Sequence, residues 1–299
     1  MVNIRMLVEQ PNYCHISSES VMISIVIAVW NQLEYTRRCL ESLFIHSDSS
    51  FELVIVDNAS EPYVSEFLDN LSDQYLYNPL YIGAQHCRDI TVVHNEINKG
   101  FLQAANFGLQ CAQGDPLLLN NDTEVTAHWL SKMVRCMDSD SDIVVVNPVF
   151  NNPMPGGFFF EPPAELTSDE VAALIDRLSV RSYPDICTAV GFCMLIRGSA
   201  VEEFGLFDEA FDPGIGEESD FCMRVTEGGK RVVCADDAYV YHKGKVSFEQ
   251  IDAGDQIAKR HLQLFMRRWG PIWRQDVAAF NKADPLQYLR ARIQQAVQS

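Results

Sequence analysis

The run "LLLNNDTE" at 117 to 124 passes from three leucines to a cluster of oxygen-bearing side chains. An apolar stretch of this kind belongs to a buried strand, and its polar end admits two readings. Asn and Asp are the residues that turns favour. Asp122 also falls where open α/β sheets place their ligands, beyond the carboxyl end of a central strand. Four strand ends of this type occur: "AVWN" (28 to 31), "VDNAS" (56 to 60), "NEINKG" (95 to 100) and "NNDTE" (120 to 124). In a parallel sheet they bring Ala28, Trp30, Asn31, Asp57, Asn98, Gly100, Asn121 and Asp122 to one edge. Trp30 would offer a flat face there, or fill a strand end; Asp57 would offer a carboxylate, or close an Asx turn. Asn98 and Gly100 open a helix whose N–H groups favour an anion, with Gly100 permitting close approach. Further on, "GIGEESDFCMR" sets Glu217, Glu218 and Asp220 at a helix start, where acids compensate the helix dipole or take a proton. "AYVYHKG" ends a short strand on His242, a structural residue or a ligand.

The elements that must position these residues alternate. "ISIVIAV" (23 to 29) is a continuous β-branched run suited to a strand covered on both faces, and 33 to 46 spaces Leu33, Cys39, Leu40, Leu43 and Phe44 as a helix does. Strand then helix repeats at 51 to 57 and 65 to 71, and at 89 to 95 and 101 to 112, with a further strand at 116 to 120. That rhythm is the pattern of a parallel sheet with right-handed crossovers. It breaks after 142 to 150. Residues 151 to 163, rich in Pro, Gly and Phe, read as an insertion or lid, followed by a helix from Ser168. Regular structure resumes with a strand within 188 to 198, a helix, a loop, a second helix from about Glu218, two short strands ("RVVCA" and "AYVYH"), and a helical final fifty residues.

Composition removes several classes. A chain of 299 residues that is 47% hydrophobic buries a sizeable core, and its apolar runs are about half a bilayer span. The first residues lack the basic start and cleavage site of a signal peptide, so the expected compartment is cytoplasmic. Nine cysteines without a CxxC pair read as reduced and core-filling. The net charge of −18 disfavours a nucleic-acid partner. The first strand leads into "AVWNQ" and not a G-x-G-x-x-G fingerprint, which disfavours a dehydrogenase, and no phosphate-binding G-x-x-x-x-G-K-[ST] loop occurs.

"SIVIAVWNQLEYTRRCLESL", "ELVIVDNAS", "NKGFLQAANFGLQCAQGDPLLLNNDTEV", "FDEAFDPGIGEESDFCMRV" and "YVYHKGKVSF" occur in the order and spacing of family 2 glycosyltransferases, which the chain resembles over about residues 21 to 250. The resemblance implies the GT-A fold, a mixed, mostly parallel α/β sheet between helices. It also implies a nucleotide-sugar donor, usually a UDP-sugar, a divalent cation (Mg2+ or Mn2+), and transfer to a hydroxyl with inversion. By the same resemblance Asp122 is the last aspartate of a DxD-type motif and holds the metal, with His242 completing the shell. Asn120 and Asn121 depart from the pattern, standing where other members carry acids. Asp57 corresponds to the aspartate that accepts a hydrogen bond from the nucleotide base, and Trp30 replaces the more usual tyrosine. Glu218 falls on the acid that deprotonates the acceptor, with Glu217 and Asp220 as the alternatives in register.

The implied acceptor is a surface glycan or its lipid-linked precursor, by analogy alone. The competing classes are a sugar-1-phosphate nucleotidyltransferase, which needs a glycine-rich basic loop that "AVWNQLEYTRR" does not supply, and a non-catalytic glycan- or nucleotide-binding relative. Organisation is expected as an N-terminal extension (1 to 20), one domain (21 to 250, donor half to about 125), and a helical extension (251 to 299). Residues 259 to 299 hold eight Lys and Arg against two acids. That basic tail reads as a solvated face packed on an acidic body, or as a peripheral contact with anionic lipid or a phosphate-bearing acceptor.

Overall fold

The computed structural model describes residues 22 to 152, 160 to 244 and 254 to 298. The expected N-terminal extension and most of the insertion at 151 to 163 lie outside the described residues. The donor half follows the expected rhythm: β1 (Ile23–Val29), α1 (Leu33–His46), β2 (Phe51–Asp57), α2 (Pro62–Asp69), β3 (Cys87–His94), α3 (Phe101–Cys111) and β4 (Asp115–Leu119). β3, β2, β1 and β4 lie side by side in that order, every pair parallel. Their carboxyl ends therefore share one edge, and the strand-end clusters meet there.

The continuous apolar runs are explained by two cores, one on each face of this sheet. Alternate side chains of a strand point to opposite faces. Ile23, Ile25, Ile27 and Val29 enter one core with Leu40, Leu43 and Phe44 of α1. Val26, Val54 and Leu118 enter the other with Leu102, Ala105 and Leu109 of α3. A Cβ on Gly108 would lie 2.3 Å from Val26 Cγ1, so α3 seats on β1 only with glycine at that position.

The remainder of the domain adds β5 (Thr123–Val125), α4 (Trp129–Asp138), β6 (Ile143–Val149), α5 (Ser168–Leu178), β7 (Cys193–Ile196), α6 (Gly198–Phe204), α7 (Glu217–Glu227) and β8 (Arg231–His242). These strands continue the sheet as β4-β7-β6-β8-β5, with β7 antiparallel to both neighbours. The helix expected from Ser168 starts there, and Thr167 and Glu170 cap it reciprocally.

The two short strands expected near the end are one continuous strand. The intervening Asp236 and Asp237 are both fully buried in β8. Asp236 accepts hydrogen bonds from Ser179, Ser182 and the Tyr183 N–H, and Asp237 pairs with Arg135 and Arg181. The register of β8 against β6 shifts between Ala235 and Tyr239, which accommodates the two acids without ending the strand.

The helical tail forms as expected, as α8 (Gly254–Ala283) and α9 (Gln287–Gln298). It is part of the domain: Phe265, Leu286, Leu289 and Ile293 are buried in the second core with Val171, Ala172 and Ile175 of α5. Among the described residues no helix is long and apolar enough to cross a membrane.

Candidate active site

Asp122 and His242 meet at the junction of the two halves. β5 starts one residue after Asp122 and runs antiparallel to the end of β8, pairing Thr123 with His242. Asp122 Oδ1 lies 3.3 Å from His242 Nε2, with only 9% and 14% of the two side chains exposed. The histidine is held from three sides. Its ring stacks on buried Phe192 with centroids 4.7 Å apart and planes at 13°. Its N–H donates to Asn151 Oδ1 (2.8 Å), and its carbonyl accepts from the Asn151 and Asn152 amides (3.0 and 2.9 Å).

Beside the pair opens a cavity of about 160 Å³ lined by Tyr35, Arg38, Asp122, Thr123, Glu124, Tyr241 and Lys243. Mg2+ or Mn2+ is commonly held by one or two protein ligands and completed by substrate phosphates and water. One carboxylate and one imidazole beside a cavity fit that arrangement. Among the described residues no group of three or more acids, histidines or cysteines forms a complete protein cage. Asn120 and Asn121 do not extend the pair: Asn121 turns inward and donates to Thr36 (3.0 Å), and Asn120 Oδ1 is buried without a partner.

At the donor edge the loops after β1 and β2 are tied together. The Asn31 N–H donates to Ser60 Oγ and the Glu61 N–H to Asn31 Oδ1, both at 2.8 Å, so Asn31 is a clasp between loops. Ala28 and Trp30 beside it are half-buried. Asp57 is 1% exposed. Its Oδ1 accepts the Ser60 N–H (3.0 Å), and its Oδ2 accepts Ser65 Oγ (2.5 Å) and His94 Nδ1 (2.7 Å). Burial alone would raise this carboxyl, but those hydrogen bonds outweigh it and hold the group below its ordinary range.

The helix start at Asn98 and Gly100 is packed against another loop of the chain. Gly100, at φ +83°, does permit a close approach, but the approaching group is Pro213, whose Cβ would lie 2.9 Å from an added Cβ. The Leu102 N–H donates to Pro213 O (3.1 Å) and the Gly100 N–H to Asn98 Oδ1 (2.8 Å). A loop of this chain therefore takes donors that sequence reasoning offers to an anion. Asn58, quoted within "DNAS" without a role, is the hub of this turn: it bonds Asn98, Gly100, Asn95 and Lys99.

That same loop delivers the acids of α7. Glu217 is 5% exposed, and its Oε2 has no hydrogen-bond partner. Burial, then the adjacent Glu218 charge, raises its carboxyl well above the usual range. Glu218 is half-buried and accepts the Gly216 N–H at 3.3 Å. Burial raises it too, while backbone N–H groups and Glu217 oppose that rise. The two adjacent carboxyls therefore titrate as a pair, both raised by burial. Thr188 bonds Ser219 of α7 (3.0 Å), and Phe192, four residues on, accepts the Asn120 N–H (2.7 Å) and stacks on His242. One segment thus ties the acid helix to the Asp122–His242 pair.

Asp220 is the third acid in register. At 1% exposure it accepts from Arg224 (3.0 Å), Arg268 (3.0 Å) and Trp269 Nε1 (2.8 Å), which makes it a buried anchor for three donors. Arg268 also pairs with Asp208 at 2.7 Å. Nearby, His261 hydrogen-bonds Gly214 O (2.8 Å) and Arg260 donates to Asp212 O (3.1 Å). Helix α8 therefore braces the loop before Glu217. That is the packed reading of the basic tail, although Arg267 and Arg274 stay exposed. Removing Asp220 takes the carboxylate partner from half-buried Arg224 and one of two from Arg268, which keeps Asp208, so Asp220→Ala is expected to lower the unfolding free energy by about 3 kcal/mol in a urea titration.

Comparison with known proteins gives the following. The family described as Glycosyl transferase family 2 matches residues 24–205. The chain is 22% identical over 248 residues to Glycosyltransferase AglE of Haloferax volcanii, covering 82% of this chain and 74% of that protein. It spans only 34% and 44% of the length of two other curated relatives. Its fold is similar to that of mannosyltransferase PcManGT from Pyrobaculum calidifontis, solved in complex with GDP-Man and Mn2+. There the TM-score is 0.59 and the identity 15%, over 94% of this chain and 75% of that one. It is also similar to GalNAc-T7, solved with UDP, GalNAc and Mn2+, with a TM-score of 0.53 and 18% identity over 76% of this chain and 44% of that one.

Proposed function

The chain belongs to glycosyl transferase family 2 and has the GT-A type of fold, and from that premise we propose that it transfers a sugar from a nucleoside diphosphate donor to a hydroxyl acceptor with inversion. The observation that carries this reading is the Asp122–His242 pair, 3.3 Å apart, tied through the Thr188–Ser219 bond and the Phe192–His242 stack to the helix that opens on Glu217 and Glu218.

Asp57 accepts a hydrogen bond from the imide N–H of the base, and Trp30 lies beside it; a base with such an N–H favours a UDP-sugar. Asn31, Asn98, Gly100 and Asn121 shape the edge through their contacts with Ser60, Asn58, Pro213 and Thr36. Asp122 and His242 would hold Mg2+ or Mn2+, which as a Lewis acid neutralises the charge of the leaving diphosphate. Glu218 takes the acceptor's hydroxyl proton while that oxygen forms its bond to the anomeric carbon. The carbon–oxygen bond to the diphosphate breaks on the opposite side, its electron pair leaving with the nucleoside diphosphate. Glu217 stays protonated and keeps Glu218 the ionised member. The acceptor is a glycan or a lipid-linked saccharide.

Screening UDP-, GDP- and dTDP-sugars for metal-dependent hydrolysis and for thermal stabilisation tests the reading, because a ligand that binds only the folded state raises its apparent stability. Stabilisation by one nucleotide series with Mn2+ and not with excess chelator is the expected outcome. No response to any of the three rejects the enzyme reading in favour of a non-catalytic relative.

A further inference from the structure

His94 ends β3 directly beside Asp57, its partner in the β2–β3 register. Its two ring nitrogens face two different carboxylates. Nδ1 is 2.7 Å from Asp57 Oδ2 on β2, and Nε2 is 3.0 Å from Asp69 Oδ1 at the end of α2. A neutral imidazole has one N–H and one lone pair, so it can donate to one carboxylate only and must set its lone pair against the other. Two contacts at hydrogen-bond length therefore call for the doubly protonated ring. Burial disfavours that charge, but the hydrogen bonds to Asp57 and Asp69, and then their charges, outweigh it and raise His94 above the ordinary imidazole value. Asp57 from β2 and Asp69 from α2 are the charged groups that face the ring, and the Ser65 hydroxyl shares Asp57 Oδ2 with it.

An ionised carboxylate has about four acceptor positions. At Asp57 the Ser60 N–H, the Ser65 hydroxyl and His94 take three, two of them on Oδ2. The remaining acceptor capacity is on Oδ1, where an incoming N–H competes with the Ser60 hydroxyl beside the carboxylate.

We propose that His94 is a positioning residue for recognition of the donor's base: as an imidazolium it keeps Asp57 ionised and holds its Oδ2, so that Oδ1 is presented to the imide N–H of the base. The proposal rests on the reading of Asp57 given above. When the ring loses its proton it must abandon Asp57 or Asp69. Either change loosens the carboxylate or the helix that frames it. Donor binding is therefore full below the raised His94 pKa and weakens as pH rises through it.

The test is calorimetric titration of UDP in excess Mg2+ between pH 6 and 9, with imidazole NMR reporting the protonation of His94 directly. Asp69 is 58% exposed and outside the donor site, so Asp69→Asn alters only the second partner of the ring. Asp69→Asn is expected to match the native affinity at pH 6 and to lose it about half a pH unit earlier, the shift that removal of one partly screened charge gives. His94→Gln keeps one N–H donor but cannot be a cation; it is expected to bind roughly fivefold more weakly at pH 6 and to show no further loss up to pH 9. Asp57→Asn is expected to bind poorly at every pH. If Asp57→Asn binds like the native protein, the base-recognition reading itself falls. If Asp57→Asn loses binding while Asp69→Asn and His94→Gln both follow the native pH curve, His94 is only a structural link and this inference alone is overturned.

Discussion

Glu218→Gln lowers sugar transfer by roughly 10²- to 10⁴-fold, the worth of a positioned general base, while leaving donor binding nearly unchanged. The substitution keeps shape and hydrogen bonding and removes only the capacity to take a proton. Glu217→Gln is the informative companion. Glu217 is 5% exposed and holds its proton under the influence of burial and Glu218, so an amide in its place still presents an N–H donor. Activity within about tenfold of native is expected for it, with the pH profile moved because Glu218 no longer shares a proton. The sign of the pH dependence follows from the role. A base must be deprotonated, and Glu218 is raised by burial, so kcat/KM climbs as pH passes a value above the ordinary carboxyl range. Steady-state kinetics with a saturating donor, alongside donor affinity by calorimetry, separates the two effects. A Glu218→Gln enzyme with native turnover, and a dead Glu217→Gln, would reverse the assignment.

Asp122→Asn abolishes metal-dependent donor binding, with a loss of roughly 10²-fold or more in affinity for the nucleoside diphosphate and an unchanged circular dichroism spectrum. The carboxylate is one of the two groups proposed to hold the cation, and among the described residues no cluster of three acids, histidines or cysteines backs it up. Asn120 and Asn121, where further acids are common in this family, are an unpartnered amide and an inward clasp on Thr36. His242→Ala follows the same course. Asn152→Ala produces a smaller effect, about ten- to a hundredfold, because it releases the carbonyl and the ring Nδ1 of His242 and acts on the site through orientation. Titration of Mn2+ by electron paramagnetic resonance, with and without UDP, reads all three variants. Full activity in excess chelator would remove the metal from the mechanism altogether.

Much of this architecture is legible along the chain because it is local. The run 23 to 29 is apolar at every position but Ser24, since both faces of β1 are covered; a strand of that kind needs no partner to be recognised. α1 and α3 are set by their apolar spacing, and parallel strands joined by helices put Asp57 and Asp122 at the same edge whatever their side chains do. That "GEESD" opens a helix is likewise readable, because Gly216 and the following acids are local signals.

What a carboxylate does there is not local. Glu218, Asp220, Asp57 and Asp236 are the same chemistry in a sequence, yet the fold gives Asp220, Asp57 and Asp236 several donors each and Glu218 the Gly216 N–H. Asp220 is captured by Arg268 and Trp269, 48 and 49 residues away, and Asp57 by His94, 37 residues away. The Pro213 carbonyl takes the Leu102 N–H that an anion was expected to find. The paired aspartates between the two expected short strands lie buried within β8 because Ser179, Arg135 and Arg181 arrive from other elements. The local pattern of polar and apolar residues decides which segments are strands and helices, since burial of a face depends on spacing alone. Which acids remain available for chemistry is decided by which donors the folded chain brings within about 3 Å, a distance at which hydrogen bonding discriminates and which no spacing along the chain encodes.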